Sequence, residues 1–113
     1  MYTMMQVCRE LDMTYQTLKF YCNEGLVPNV KRDHNNRRVF DEKDVKWIKD
    51  LTCLKKCGMS IQEMKKYLEL CLQGEATIVS RKKMLARKQE ELRASIKELE
   101  DSISYIGWKQ NFY

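Results

Sequence analysis

Apolar positions in the first two-thirds of the chain form short periodic runs, each closed by turn residues. Met4, Met5, Cys8 and Leu11 recur at helical spacing and predict a short helix over 4–11. Leu11-Asp12-Met13 breaks that pattern, and Thr14 can cap a second helix over roughly 15–24. Leu18, Tyr21 and Cys22 would form its inner face, with Gln16, Lys19, Phe20 and Asn23 outside. Gly25 ends it and Pro28 prevents its resumption. Two short helices joined by a tight turn are a candidate helix-turn-helix. The next run, Val30 to Phe40, has β-prone ends around the turn-forming His34-Asn35-Asn36 and predicts a hairpin, or wing. Asp41, with Asp44 three residues on, caps a third helix with an apolar stripe of Val45, Ile48, Leu51 and Leu54, stopped by Gly58. Ser60 and Glu63 form a second capping box. That box opens a helix through Ile61, Met64, Tyr67, Leu68 and Cys71, ending near Gly74.

Beyond Gly74 the pattern changes. Ile78, Leu85, Leu92, Leu99 and Ile106 recur every seven residues, and Ile96 and Ile103 fill the four-residue offset in the later heptads. In the earlier heptads that offset holds Lys82 and Gln89, so pairing there should be weaker or different. No Pro or Gly intervenes before Gly107, and a helix of about 30 residues would reach about 45 Å. Such a stripe is too narrow for a globular core and too long to leave exposed. It asks for another long helix, and the natural partner is a second copy of the chain. The expected fold is therefore mostly α. A winged helix-turn-helix domain over 1–74 is followed by a dimerisation helix with a short tail over 75–113.

Length, charge and cysteines adjust this picture only slightly. A chain of 113 residues suits one domain, or a small domain with one added element, so its core is small. The formal charge of +5 favours an anionic partner without identifying it. No apolar run is long enough to span a bilayer, and the first residues do not resemble a secretion signal. Five irregularly spaced cysteines suggest free thiols in a reducing cytoplasm. The one histidine, His34, lies in a polar turn. There is no paired-carboxylate motif, Gly-rich phosphate loop or Cys/His dyad, so neither an enzyme nor a cofactor is expected.

Three sets of residues now carry a resemblance: Thr14-Tyr15-Gln16-Thr17-Leu18-Lys19-Phe20-Tyr21 with Glu24-Gly25-Leu26-Val27-Pro28; Asn35-Asn36-Arg37-Arg38-Val39-Phe40-Asp41 with Asp44-Val45; and Cys57-Gly58-Met59-Ser60-Ile61-Gln62-Glu63. In order and spacing, the segment from Tyr2 to about Gly74 resembles the DNA-binding domain of MerR-family transcription regulators. The long terminal helix is similar to that family's antiparallel dimerisation helix. The resemblance implies a homodimer on an inverted-repeat promoter. Activation would come by bending and untwisting the DNA for RNA polymerase, with no membrane involved.

On the recognition helix, Gln16 can pair with adenine through two hydrogen bonds. Lys19, Tyr21, Lys31, Arg32, Arg37 and Arg38 can bind phosphates, and Thr14 and Tyr15 complete the expected DNA-binding set. Arg37 or Arg38 could instead enter a minor groove. The family often has Arg-Tyr-Tyr where this chain has Lys19-Phe20-Tyr21, and Phe20 cannot donate to a phosphate. It often has Gly-Tyr-Arg in the wing, here Asn36-Arg37-Arg38, so an added charge stands in for the missing tyrosine hydroxyl. Phe40 likewise replaces a frequent Tyr.

Metal-sensing members carry cysteines after the dimerisation helix, whereas this sequence has none after Cys71, so a metal site of that kind is not expected. Drug-binding members add a large C-terminal domain, and this sequence stops at Tyr113. Cys8, Cys22 and Cys71 fall on apolar helix faces and read as packing; Cys57, beside Gly58, is ambiguous. Cys53 lies about 140° around its helix from Ile48, with Lys49 and Lys56 one turn to either side, a setting that favours a reactive thiolate. Asp44-Val45-Lys46-Trp47-Ile48, Leu51-Thr52-Cys53-Leu54 and Gly58-Met59-Ser60-Ile61 resemble the MerR subgroup that responds to aldehydes through one cysteine at this position. Gly74-Glu75, Thr77, Val79, Arg81 and Lys82 also fit that subgroup. Cys53 is the expected sensor; the alternative is an inert side chain at the dimer interface. Cys53 and Cys57 are also spaced to share a soft metal, though no third and fourth ligand is evident. Two other readings stay open. One is a constitutive or architectural DNA-binding protein without an effector, and the other is a coiled-coil protein-interaction module.

Overall fold

The computed structural model describes residues 1–113 as two compact units, Met1–Glu69 and Leu70–Tyr113. In the first unit, strand β1 (Tyr2–Thr3) leads directly into helix α1 (Met4–Leu11). Thr3 makes the junction. Its hydroxyl accepts the Gln6 N–H at 3.2 Å while the Gln6 side chain accepts the Thr3 N–H at 2.8 Å, satisfying two donors that the first helical turn would leave bare. Asp12 then stops α1 in the left-handed conformation, which a short polar side chain tolerates. Helix α2 (Tyr15–Asn23) starts on Thr14, whose hydroxyl accepts the Thr17 N–H at 3.1 Å. It ends at Gly25, whose φ of +74° favours glycine.

Strands β2 (Lys31–Arg32) and β3 (Arg38–Phe40) form the wing. β3 is the centre of a three-stranded antiparallel sheet in the order β1-β3-β2, with Tyr2 opposite Phe40 and Lys31 opposite Val39. The third strand, β1, was not foreseen. Two residues are too few to show a period, and the edge pairing is supplied by a segment distant in sequence. Helix α3 (Glu42–Lys56) begins with the Asp41–Asp44 box, and helix α4 (Ile61–Leu72) with the Ser60–Glu63 box. Val7, Leu18, Leu26, Phe40, Ile48, Leu51 and Met64 are fully buried in a single cluster that draws on helices and sheet alike. The Trp47 indole N–H closes one edge of it by donating to the Leu26 carbonyl at 2.6 Å.

The division between the units falls within α4, ahead of the boundary expected at residue 74. In the second unit the end of α4 is followed by a 3-10 turn over Gly74–Thr77 and then by helix α5 (Ile78–Phe112). Thr77 is buried; its hydroxyl shares one proton between the Leu70 and Gly74 carbonyls and accepts from Arg81 Nε at 3.1 Å. At 35 residues, α5 is about 52 Å long. It continues through Gly107, so the expected tail is helical. One interior glycine costs only about 1 kcal/mol. Against that, Tyr105–Trp108 and Trp108–Phe112 rings lie 6.0 and 5.8 Å apart, and Lys109 sits 5.2 Å over the Phe112 ring. No helix is long and apolar enough to cross a membrane.

Candidate nucleic-acid interface

Burial of Leu18 and Tyr21 fixes how α2 is rotated, and that rotation leaves Tyr15, Gln16 and Lys19 exposed. Gln16 and Lys19 are therefore surface side chains with apolar support behind them. Thr14 also lies at this end of α2, but its hydroxyl is occupied in capping and meets the Thr17 hydroxyl at 2.8 Å. Tyr15 faces the wing. With Thr3, Met4, Met5, Arg32, Asp33, Asn36, Arg37 and Arg38 it lines an open cavity of about 550 Å³. Two of the expected recognition elements, the start of α2 and the wing, thus converge on one groove with three guanidinium groups.

The wing owes its shape to Asp33. Its carboxylate accepts the N–H groups of Asn35 and Arg37, each at 2.9 Å, and its backbone exchanges hydrogen bonds with Asn36 and Arg37. Asn36 sits at φ +60°, which asparagine tolerates better than most residues. Arg32 donates to the Asn36 carbonyl at 2.9 Å, stiffening the hairpin across its own turn. Arg38 donates to the Asn23 side chain at 2.7 Å and so ties the wing to the end of α2. Arg37 is exposed and its side chain has no protein partner, so its full donor fork is available to a phosphate.

Two of the expected DNA-binding side chains differ from expectation. Tyr21 is only 4% exposed; its ring is core, and burial pushes its phenol pKa up. It supports α2 from beneath and does not project from it. The apolar spacing places it on the inner face, and packing prevails over its phosphate role. Lys31 points away from the groove. Its ammonium lies 2.9 Å from Asp41 and 3.3 Å from Asp44, and it also donates to the Asn29 carbonyl. The bond from Lys31 is the main reason the Asp41 carboxyl falls to about 2 from its usual 3.8, with the Asp44 N–H adding to it. The same bond raises Lys31 above its usual value. Lys31 thus anchors the wing to the cap of α3, with its charge neutralised.

Sequence reasoning missed Asn23 as the seat of Arg38, Asp33 as the wing's scaffold, and Thr3, Met4 and Met5 as a wall of the groove. Asp33 had a readable signal, since aspartate before a polar turn commonly accepts N–H groups two residues on. Asn23 had none, because its partner is fifteen residues away.

Among the thiols, Cys8 is buried and Cys22 half-buried, and burial pushes both thiol pKa values up. Cys71 is half-buried, while Cys53 and Cys57 are exposed. On α5 no residue is buried. The stripe of Ile78, Leu85, Leu92, Ile96, Leu99, Ile103 and Ile106 is exposed throughout, from 40% at Leu85 to 72% at Ile103.

Comparison with known proteins places these features in context. Residues 2–71 match the family model described as MerR HTH family regulatory protein, and residues 45–106 match that described as MerR, DNA binding. An uncharacterised HTH-type transcriptional regulator of Haemophilus influenzae is 34% identical over 112 residues, covering 99% of this chain and 83% of that protein. The HTH-type transcriptional regulator AdhR of Bacillus subtilis is 37% identical over 87 residues, covering 77% of this chain and 62% of AdhR. Among solved structures, HiNmlR, a MerR family regulator lacking the sensor domain, bound to promoter DNA, superposes with a TM-score of 0.82. It shares 34% identity, with 99% of this chain and 89% of that chain covered.

Proposed function

This chain belongs to the MerR family of helix-turn-helix regulatory proteins, and from that premise we propose that it binds an inverted-repeat promoter as a homodimer, distorts it for RNA polymerase, and responds to aldehydes or other electrophiles through Cys53. That the chain is a DNA-binding transcription regulator and not an enzyme follows from the family itself. The observation that carries the DNA-binding part of this reading is the groove in which Tyr15 and three wing arginines converge beside the exposed face of α2. Cationic donors at that position suit phosphates, and the adjacent Gln16 suits a base edge. HiNmlR was crystallised on promoter DNA, which supports the same partner here.

Dimerisation is supported by the bare stripe on α5. Seven Ile and Leu side chains at coiled-coil spacing face solvent in the single chain, and a second copy would cover them. An antiparallel pairing would hold two wings apart at a fixed spacing and so set the separation of two half-sites. The Cys53 reading is supported by exposure, which Cys53 shares with Cys57, whereas Cys8 is buried and Cys22 and Cys71 are half-buried. Modification there would shift the dimer between two DNA-bound shapes, an equilibrium effect and not catalysis. The test is a promoter footprint with transcription from the same template, with and without a small aldehyde. The expected result is protection of two half-sites in both conditions, and an aldehyde response that Cys53→Ser loses while keeping the footprint. Protection of a single half-site would overturn the dimer reading. A full response in Cys53→Ser would overturn the sensor.

A further inference from the structure

The last turn of α3 holds two exposed thiols. Cys53 lies within it and Cys57 caps it, and the Cys57 N–H donates to the Cys53 carbonyl at 3.1 Å, so the intervening turn is intact. Side chains spaced i, i+4 on such a turn have Cβ atoms about 5–6 Å apart. A disulfide needs a Cβ separation of about 3.5–4.5 Å, so this pair cannot close directly without pulling the turn out of shape. A single large atom between the sulfurs spans the gap. No third His, Cys, Asp or Glu gathers around the pair, so a tetrahedral zinc site is not built here.

We propose that Cys53 and Cys57 form a two-sulfur clasp for a thiophilic centre with two exchangeable positions, with monosubstituted arsenic(III) as its chemical class. Soft thiolates select such a centre over hard cations. An arsonous acid, R–As(OH)2, gives R–As(S–Cys)2: two As–O bonds break, two As–S bonds form, and the thiol protons leave with the oxygens as two waters. Arsenic stays trivalent and neither sulfur is oxidised. The clasp differs from an electrophile response at Cys53, which needs one sulfur; this needs two. Neither half-buried cysteine has a partner at this spacing on its own helix, and Cys8 is buried.

Phenylarsine oxide added to the full chain is the probe, with binding followed by intact mass and by loss of free thiols. The expected product is one phenylarsenic per chain, consuming two thiols, stable to excess glutathione and removed by a dithiol such as dimercaptopropanol. Removing either sulfur leaves one-point attachment, so Cys53→Ser and Cys57→Ser should each weaken binding on the order of 10²-fold or more, the usual gain from linking two attachments. Cys71→Ser should change nothing. In the Cys57→Ser background, Lys49→Cys recreates an i, i+4 pair with Cys53 on the preceding turn and should restore tight binding, which excludes misfolding as the cause of the loss. Unchanged affinity in Cys57→Ser, release by glutathione alone, or consumption of a thiol other than these two would overturn the clasp. Because Cys57→Ser keeps Cys53, its aldehyde response tests the sensor reading separately. That response can fail with the clasp intact, or persist without it.

Discussion

The two units of this chain handle apolar surface in opposite ways. In Met1–Glu69, the large side chains of four helices and a sheet meet in one cluster, and Leu18, Phe40, Ile48 and Leu51 are wholly out of water. In Leu70–Tyr113, the 35-residue α5 buries nothing, although Ile or Leu recurs at every seventh position from Ile78 to Ile106. One region satisfies its sequence pattern within the chain. The other carries a pattern that the single chain leaves in water. The practical difference is that damage to the first should appear as lost stability, and damage to the second as lost association.

The largest effect should come from the exposed seam. Leu92→Asp combined with Leu99→Asp would bury two carboxylates per chain at an apolar seam, at a cost that exceeds what the remaining heptads supply. Light scattering should then read the monomer mass of 13.6 kDa in place of twice that value. A dimer mass in the double variant would mean that α5 is not the seam. The counterpart in the closed unit is Ile48→Ala, which should lower unfolding stability by about 2–5 kcal/mol while the association state stays unchanged. The chain has two tryptophans, Trp47 in the first unit and Trp108 on α5, so single-tryptophan variants can follow each region separately in one denaturant series.

The same contrast explains how much of the molecule is legible in its sequence. Caps and periods are local, and they mark α1, the start of α2, the Asp41 and Ser60 boxes and the α5 heptads. Burial is also partly local: Val45, Ile48 and Leu51 face inward as their spacing implies. What escapes is pairing between residues far apart in the chain. β1 finds β3 across the whole helix-turn-helix, Arg38 finds Asn23, and Lys31 finds Asp41 and Asp44. A wing lysine and a wing arginine are chemically alike in a sequence, and only folding decides which one is consumed by an internal carboxylate. The aromatic end of α5 escapes for another reason. Tyr105, Trp108 and Phe112 lie off the heptad positions, so attention to a period of seven passes over them.

Smaller effects should distinguish the wing arginines, which the closed unit treats differently. Arg37 has no internal partner, so Arg37→Ala should leave folding intact. It should weaken binding to all DNA sequences and reduce the slope of log K against log salt by about 0.9 for each phosphate no longer neutralised. Arg38 is also a strut to Asn23, so Arg38→Ala should do the same and in addition loosen the wing. Gln16→Ala should leave the salt slope alone and relax base preference at one position in each half-site. Binding isotherms at several salt concentrations, on operator and on random duplex, separate the three. A Gln16→Ala loss that is equal on both duplexes would remove base readout from that residue.

The smallest effect belongs to the Lys31–Asp41 pair, and acid should expose it. Asp41 titrates near 2 in the folded chain and near 3.8 when free, because Lys31 and the Asp44 N–H favour its charged form. A group whose pKa is lowered by folding contributes stability that is complete above its free value and is lost as pH falls through its folded value. The contribution should therefore be constant above about pH 4–5 and disappear by about pH 2. Lys31, raised above its usual value, gives the mirror image: present at neutral pH and lost as pH rises through its folded value. Both side chains are about two-fifths exposed, so water and salt screen the pair and the loss should shrink at high ionic strength. Asp41→Asn is the suitable variant, because asparagine caps a helix about as well as aspartate: its one oxygen can still accept the Asp44 N–H, while the charge and the acceptor that Lys31 uses are removed. Followed by Trp47 fluorescence in a Trp108→Phe background, the variant should unfold with a flatter dependence on pH between about 4 and 2 than its parent. The Trp108 signal from α5, followed in a Trp47→Phe background, should not add to that difference. An identical acid profile in parent and variant would mean that the wing is held to α3 by the cap and the sheet alone.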